Sequence, residues 1–153
     1  MKHRKTIFFS LTALLVIAGG VYGLHEYTRK NADLGHVRAD LQISAGDLIR
    51  KMETGGQAAE RELLAKKDYV IAVTGSIKEI SRDEKGYYTI ALGNPDGMSS
   101  VRCAMDTMHQ KGLAGLATGA TVTIQGAFTG FNQDPLLGSD VILNRCVISN
   151  KKP

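Results

Sequence analysis

The chain has 153 residues and a formal net charge of +4, from 19 Lys and Arg against 15 Asp and Glu. Between Asn31 and Ile148 the count is 12 Lys and Arg against 14 Asp and Glu, and the excess lies at the ends, in Lys2, Arg4, Lys5, Arg29, Lys30, Lys151 and Lys152. The middle of the chain therefore has no surplus of cations to offer a phosphate backbone, whose affinity rests on counterion release.

Lys2, Arg4 and Lys5 precede an uncharged run, Thr6 to Leu24. At about 1.5 Å of rise per residue this run nearly spans a bilayer core of roughly 30 Å. It is expected to be a transmembrane helix over 1–24, with the basic residues held in the cytoplasm and the rest of the chain delivered outside it, to the periplasm in a Gram-negative cell. An uncleaved signal anchor is favoured over a cleaved signal peptide, because Ala18-Gly19-Gly20 is a poor cleavage pattern. Cys103 and Cys146 are the only cysteines, so no lipid-bearing cysteine follows the apolar run.

Residues 25–43 are polar and aperiodic and read as a linker, with His36 a solvated linker residue. From 44 to 150 the pattern is that of one folded domain. Ser44 is placed to cap a helix running to Thr54, with Asp47 in its first turn and Leu48, Ile49 and Met52 on one stripe. Gly55-Gly56 stops it, and a second helix from Gln57 to Lys67 puts Ala59 and Leu63 on one side. These stripes are read as core packing.

The period then changes to that of a strand. Ile71, Val73, Gly75 and Ile77 alternate with Ala72, Thr74, Ser76 and Lys78 as a half-exposed first strand. SRDEKG turns the chain into a second strand with Tyr88, Ile90 and Leu92 inward, and NPDG is a strong turn signal. A third strand, Ser99 to Met105, points Val101, Cys103 and Met105 inward. Leu113 and Leu116 mark a short connecting helix ended by Gly119. Val122, Ile124, Gly126 and Phe128 define a fourth strand. The segment TGFNQDPLLGSD is expected to be a long loop, with Asp134-Pro135 a turn, before a fifth strand from Val141 to Ile148.

Five strands with a helix between the third and fourth is the order of the Greek-key barrel called the OB fold. The fold class is therefore mainly β, a five-stranded OB barrel preceded by two short helices. Gly75 and Gly126 fall where a small barrel bends sharply. Ala59, Tyr69, Val73-Thr74-Gly75, Cys103, the run from Gly119 to Gly126, and Asn144-Arg145-Cys146 together resemble the bacterial tRNA_anti-like family over roughly Ser44 to Ile148. Ile124 stands where that family's pattern has a second valine, and no acidic residue follows Gly119. The resemblance implies an OB-like domain, often behind a membrane or lipid anchor. The family name marks likeness to anticodon-binding domains, not a bound tRNA.

In such a barrel strands three and five are neighbours, so Cys103 and Cys146 are within reach of a disulfide, favoured outside the cytoplasm over two buried thiols. Facing geometry requires an extra residue, a bulge, at Asn144-Arg145. Catalytic and metal readings find little. Cys103 faces the core, so it is a poor nucleophile for His109. Cys103, His109 and Cys146 lack the paired close spacings of zinc motifs, and His25-Glu26 lacks the second histidine of a metalloprotease helix. No catalytic residue, metal or cofactor is expected.

Binding is the better class. OB domains use the outer face of strands two and three, where strand parity puts Tyr87, Thr89 and Arg102. One tyrosine for stacking and one arginine for an anion are few beside the aromatics and cationic groove of single-strand binders. The expected protein is a membrane-anchored extracytoplasmic module, not an enzyme, that binds or scaffolds an envelope protein or an oligosaccharide-like ligand. A single-stranded nucleic-acid binder is the alternative, and a cell-envelope hydrolase the third.

Overall fold

The computed structural model describes residues 18–23, 33–113 and 115–149. The chain divides into two units, 1–32 and 33–153. In the first, residues 18–23 are helical. The rest of the expected transmembrane run lies outside the described residues, and among the described residues no helix is long and apolar enough to cross a membrane.

The second unit begins with a 3-10 turn, Leu34–His36, capped by Asp33, whose carboxylate accepts from Gly35 N–H. Strand β1, Leu41–Ser44, follows and leads directly into helix α1, Ala45–Leu64. Ser44 caps that helix as expected, accepting from Asp47 N–H at 3.1 Å and donating its hydroxyl to the Asp47 carboxylate at 2.7 Å. At Gly56 the backbone leaves the helical region, with φ 50° and ψ −136°. Glycine reaches such a conformation readily. The two expected helices are thus the two halves of one bent helix, which ends at Leu64, before Lys66 and Lys67.

The strands are β2 (Val70–Arg82), β3 (Tyr88–Leu92), β4 (Ser100–Met105), β5 (Thr121–Asp134) and β6 (Gly138–Ile148), with a second 3-10 segment, Thr107–Leu113, between β4 and β5. The connecting helix between the third and fourth expected strands is therefore of 3-10 type. The sheet order is β1-β2-β3-β4-β6-β5, and β2 also pairs β5, so β2 to β6 form a closed ring of pairings. β4 and β6 run parallel, while β2–β3, β3–β4, β2–β5 and β5–β6 are antiparallel. The molecule is mainly β, of OB-like plan.

Two segments differ from expectation. β1 takes up the last three residues of the supposed linker and Ser44, pairing in parallel with Ile71 to Thr74. Four residues are too few to show a period, and the strand exists because β2 offers it an edge. The supposed long loop is mostly strand, with Asn132 opposite Asp140 and Asp134 opposite Gly138. Its polar composition reads as loop, but a hairpin whose outer face is wet accepts polar residues. Only Pro135 to Leu137 turn, with the Asp134 carboxylate accepting from the N–H groups of Leu136 and Leu137.

The core is filled by Leu48, Met52 and Leu63 of α1 and by Ile71, Val73, Ile77, Ile90, Leu92, Val101, Ile124, Val141 and Leu143 of the strands, all buried. Gly75 lets α1 approach, since a β-carbon there would lie 2.8 Å from that of Ala45. A smaller cluster, Leu34, Val70, Ala127 and Val147, sits under the first 3-10 turn. This N-terminal cover is why Val70 and Ala72 are buried where alternation alone leaves that face wet. Gln125, itself buried, donates to the carbonyls of Leu34 at 2.7 Å and Val37 at 2.6 Å and fastens the turn down.

The expected bulge is present. β6 spends the step from Asn144 to Val147 against the step from Ala127 to Gln125 on β5, one residue more, and Arg145 takes φ 54°. The extra residue turns Cys146 into the core beside Cys103, both fully buried. They are free thiols, so the expected disulfide is corrected. Cys103 lies opposite Leu143 and Cys146 opposite Met105, so the pair is offset along the two parallel strands rather than directly opposed.

Candidate functional site

The face to which OB-like domains owe their binding is formed by the outward residues of β3 and β4. Val101, Cys103 and Met105 point into the core, which turns Ser100, Arg102 and Ala104 outward. On β3, Ile90 and Leu92 are inward, and Thr89 and Ala91 outward, lying opposite Ala104 and Arg102. Thr89 and Arg102 are therefore diagonal neighbours on one face.

Tyr87 stands one residue before β3, 46% exposed. Its N–H donates to the Asp83 carboxylate at 2.8 Å, which fixes the end of the β2–β3 turn beneath the ring. Its neighbour Tyr88 packs against the core, with the Arg82 guanidinium 5.2 Å from its ring centre. The structure thus puts Thr89 and Arg102 on one patch, with Tyr87 at its edge.

Arg102 is engaged. Its Nε donates to the Asp140 carboxylate at 2.7 Å, and the same carboxylate accepts from the Ser100 hydroxyl at 2.6 Å. Asp140 belongs to β6, which runs beside β4, and Ile142, two residues on, lies opposite Arg102 and is partly exposed. Sequence reasoning missed both, although the inward parity of Val141 and Leu143 implies their outward direction. Glu79 and Ser81 of β2 pair with Ala91 and Thr89. The patch is therefore small-residued and shallow, with its cation neutralised by a carboxylate on the next strand.

The cysteines belong to the core. Burial pushes the Cys146 thiol well up, and the adjacent Cys103 thiol, hydrogen-bonded to it, adds to the rise. A thiol held protonated is a poor nucleophile or metal ligand. His109 lies with Asp33, Nε2 to carboxylate oxygen 3.5 Å, its Nδ1 buried without a partner. His36 is exposed, 3.8 Å from the same carboxylate oxygen. Both histidines line a cleft of about 350 Å³ with Gln125 and Ser149. Among the described residues no group of three His, Cys, Asp or Glu is arranged to hold a metal ion.

A second cleft, of about 600 Å³, lies in the bend of α1, lined by Asp47, Arg50, Lys51, Thr54, Ala58 and Glu62 among others. Its cations are paired within the helix, Arg50 to Asp47 at 3.2 Å and Lys51 to Glu62 at 3.7 Å. Asp40, next to β1, accepts from Lys66 and from Val70 N–H, and these bonds hold its carboxyl below the usual carboxylate range.

The model of the tRNA_anti-like family matches residues 1–147. No curated protein matches the chain. Among solved structures, the Stn1–Ten1 complex of S. pombe is similar at 19% identity and a TM-score of 0.37, over 54% of this chain and 59% of that one. An asparaginyl-tRNA synthetase of Entamoeba histolytica, in complex with asparaginyl-adenylate, is similar at 14% identity and a TM-score of 0.37, over 57% of this chain and 22% of that one. A putative aspartyl-tRNA synthetase of Leishmania major Friedlin is similar at 11% identity and a TM-score of 0.43, over 87% of this chain and 26% of that one. The chain thus spans less than two thirds of the length of each of these chains.

Proposed function

The chain belongs to the tRNA_anti-like family, and from that premise we propose that it is a membrane-anchored, extracytoplasmic binding or scaffolding module without catalysis, its β2–β6 ring serving as the OB barrel. The observation that carries this reading is the engagement of Arg102 by Asp140 on a face otherwise made of Thr89, Ala104 and Ile142, with Ala91 itself buried. Such a face offers hydroxyl, methyl and backbone contacts. It suits a neutral ligand, an envelope protein segment or an oligosaccharide-like chain, better than a row of phosphates, which needs several unpaired cations and stacking rings. The basic start of the chain before Thr6 supports the anchored topology.

The test replaces Tyr87 by a photo-cross-linking amino acid in the full chain and irradiates intact membranes. An adduct with an envelope protein or glycan that fades when Thr89→Arg is added is the expected result. In parallel, the full chain in detergent should bind single-stranded oligonucleotides no more tightly than the non-specific range of roughly 10⁻⁴ to 10⁻⁶ M at physiological salt. Tighter, salt-sensitive binding lost in Tyr87→Ala or Arg102→Ala would replace this reading by single-stranded nucleic-acid binding.

A further inference from the structure

Of the residues Thr89, Ala91, Ser100, Arg102, Ala104, Asp140 and Ile142 on the outward side of β3, β4 and β6, Arg102 alone is a cation. Asp140 meets it as an anionic ligand would. Its Oδ2 accepts from Arg102 Nε at 2.7 Å, and its Oδ1 accepts from the Ser100 hydroxyl at 2.6 Å. These are the lengths of charge-assisted bonds. The chain's own carboxylate therefore fills the position between a hydroxyl and a guanidinium that a ligand's phosphate or carboxylate oxygens would otherwise take.

Folding does not require the charge. Ser100 is buried and lies opposite Asp140, so its hydroxyl needs an acceptor. An amide oxygen accepts there as a carboxylate does. The Arg102 side chain is 50% exposed and is hydrated on its own, and an ion pair at such a surface contributes little to stability. What the charge changes is the kind of ligand the face can hold. An anion reaching for the remaining N–H groups of Arg102 would lie beside a carboxylate fixed through both of its oxygens, and like charges so close repel. A ligand that offers hydroxyl or amide groups meets no such penalty.

We infer that Asp140 is the specificity-determining residue of this face, a resident anion that turns away phosphate-bearing ligands and leaves the face to neutral ones. Beneath it, Ser100 and Arg102 form a latent anion site. The inference rests on the β3–β4 face being the binding face, as proposed above.

The test is a gain of binding. Asp140→Asn keeps an acceptor for Ser100 and removes the charge. Glu79→Gln is the control, because it makes the same change in net charge two strands from Arg102, the two residues pairing with Ala91 from opposite sides. Each full-length variant in detergent is titrated with a fluorescent oligothymidylate over a range of salt concentrations. Asp140→Asn should bind about tenfold more tightly than the wild type at low salt. Its log–log salt dependence should steepen by about 0.7, as one more phosphate contact on a single strand predicts. Glu79→Gln should gain much less, and adding Arg102→Gln to Asp140→Asn should remove the gain.

Equal gains in Asp140→Asn and Glu79→Gln report only the general field of the molecule and overturn the inference. So does the absence of a gain, or a gain that survives Arg102→Gln. If Asp140→Asn does not fold, Asp140→Ser takes its place, and loss of folding in both makes Asp140 a structural residue, which also overturns the inference. The Tyr87 adduct reports the envelope ligand separately. A gain without an adduct keeps the role of Asp140 and removes that ligand, whereas an adduct without a gain does the reverse.

Discussion

Gly126 sits opposite the β6 bulge, and its missing side chain is the space that Cys146 fills. A β-carbon there would lie 2.5 Å from the Cys146 sulfur, 3.1 Å from the Leu143 β-carbon and 3.3 Å from the Asn144 carbonyl oxygen. Gly126→Ala should therefore destabilise the fold by about 1–3 kcal/mol, the usual cost of overpacking, measured as a fall in denaturation midpoint at unchanged m-value. Cys103 and Cys146 should be closed to an impermeant maleimide while the reduced protein is folded, and two thiols should react once it is unfolded. The bulge that aims Cys146 inward is legible from the parity of Val141 and Leu143. The state of the sulfurs is not, because the offset along β4 and β6 depends on register.

At the scale of elements, the N-terminal cover is held by a few named bonds. Gln125→Ala leaves the Val37 carbonyl without its Gln125 donor and the Leu34 carbonyl with only the Val37 N–H at 3.3 Å, and should cost about 1–3 kcal/mol. Amide exchange should accelerate at 34–37 before it does in β5, which distinguishes release of the turn from global loss. Asp40 ties β1 to the start of β2 through Val70 N–H and to Lys66. Because its folded carboxyl titrates below the ordinary range, its contribution is present at neutral pH and is lost as the pH falls through that lowered value. Asp40→Asn should therefore lower the midpoint at neutral pH and converge with the wild type in strong acid. Neither bond is visible in the sequence, since Gln125 and Leu34 are 91 positions apart and Asp40 and Val70 are 30 apart.

For the whole molecule, the topology is open to a direct check. A reporter active only in the cytoplasm, fused after Pro153 in the full chain, should stay silent, and one active only outside it should give signal. The reverse pattern overturns the anchored, extracytoplasmic reading.

The sequence by itself determined the strands from Val70 to Met105, the interruption of the helical pattern at Gly55-Gly56, the Ser44 cap and the inward or outward direction of Thr89 and Arg102. Each of these follows from local periods, dihedral preferences and short-range hydrogen bonds carried by adjacent residues. Only the tertiary structure decided that Leu41–Ser44 is a strand, that the polar stretch before Asp134 joins the sheet and that Arg102 is neutralised by Asp140. It alone also brought Met98 beside the β5–β6 turn. The physical reason is common to all four. A strand edge, an ion pair across 38 positions and a junction of two turns are made by partners distant in the chain, and local composition does not encode which partner arrives.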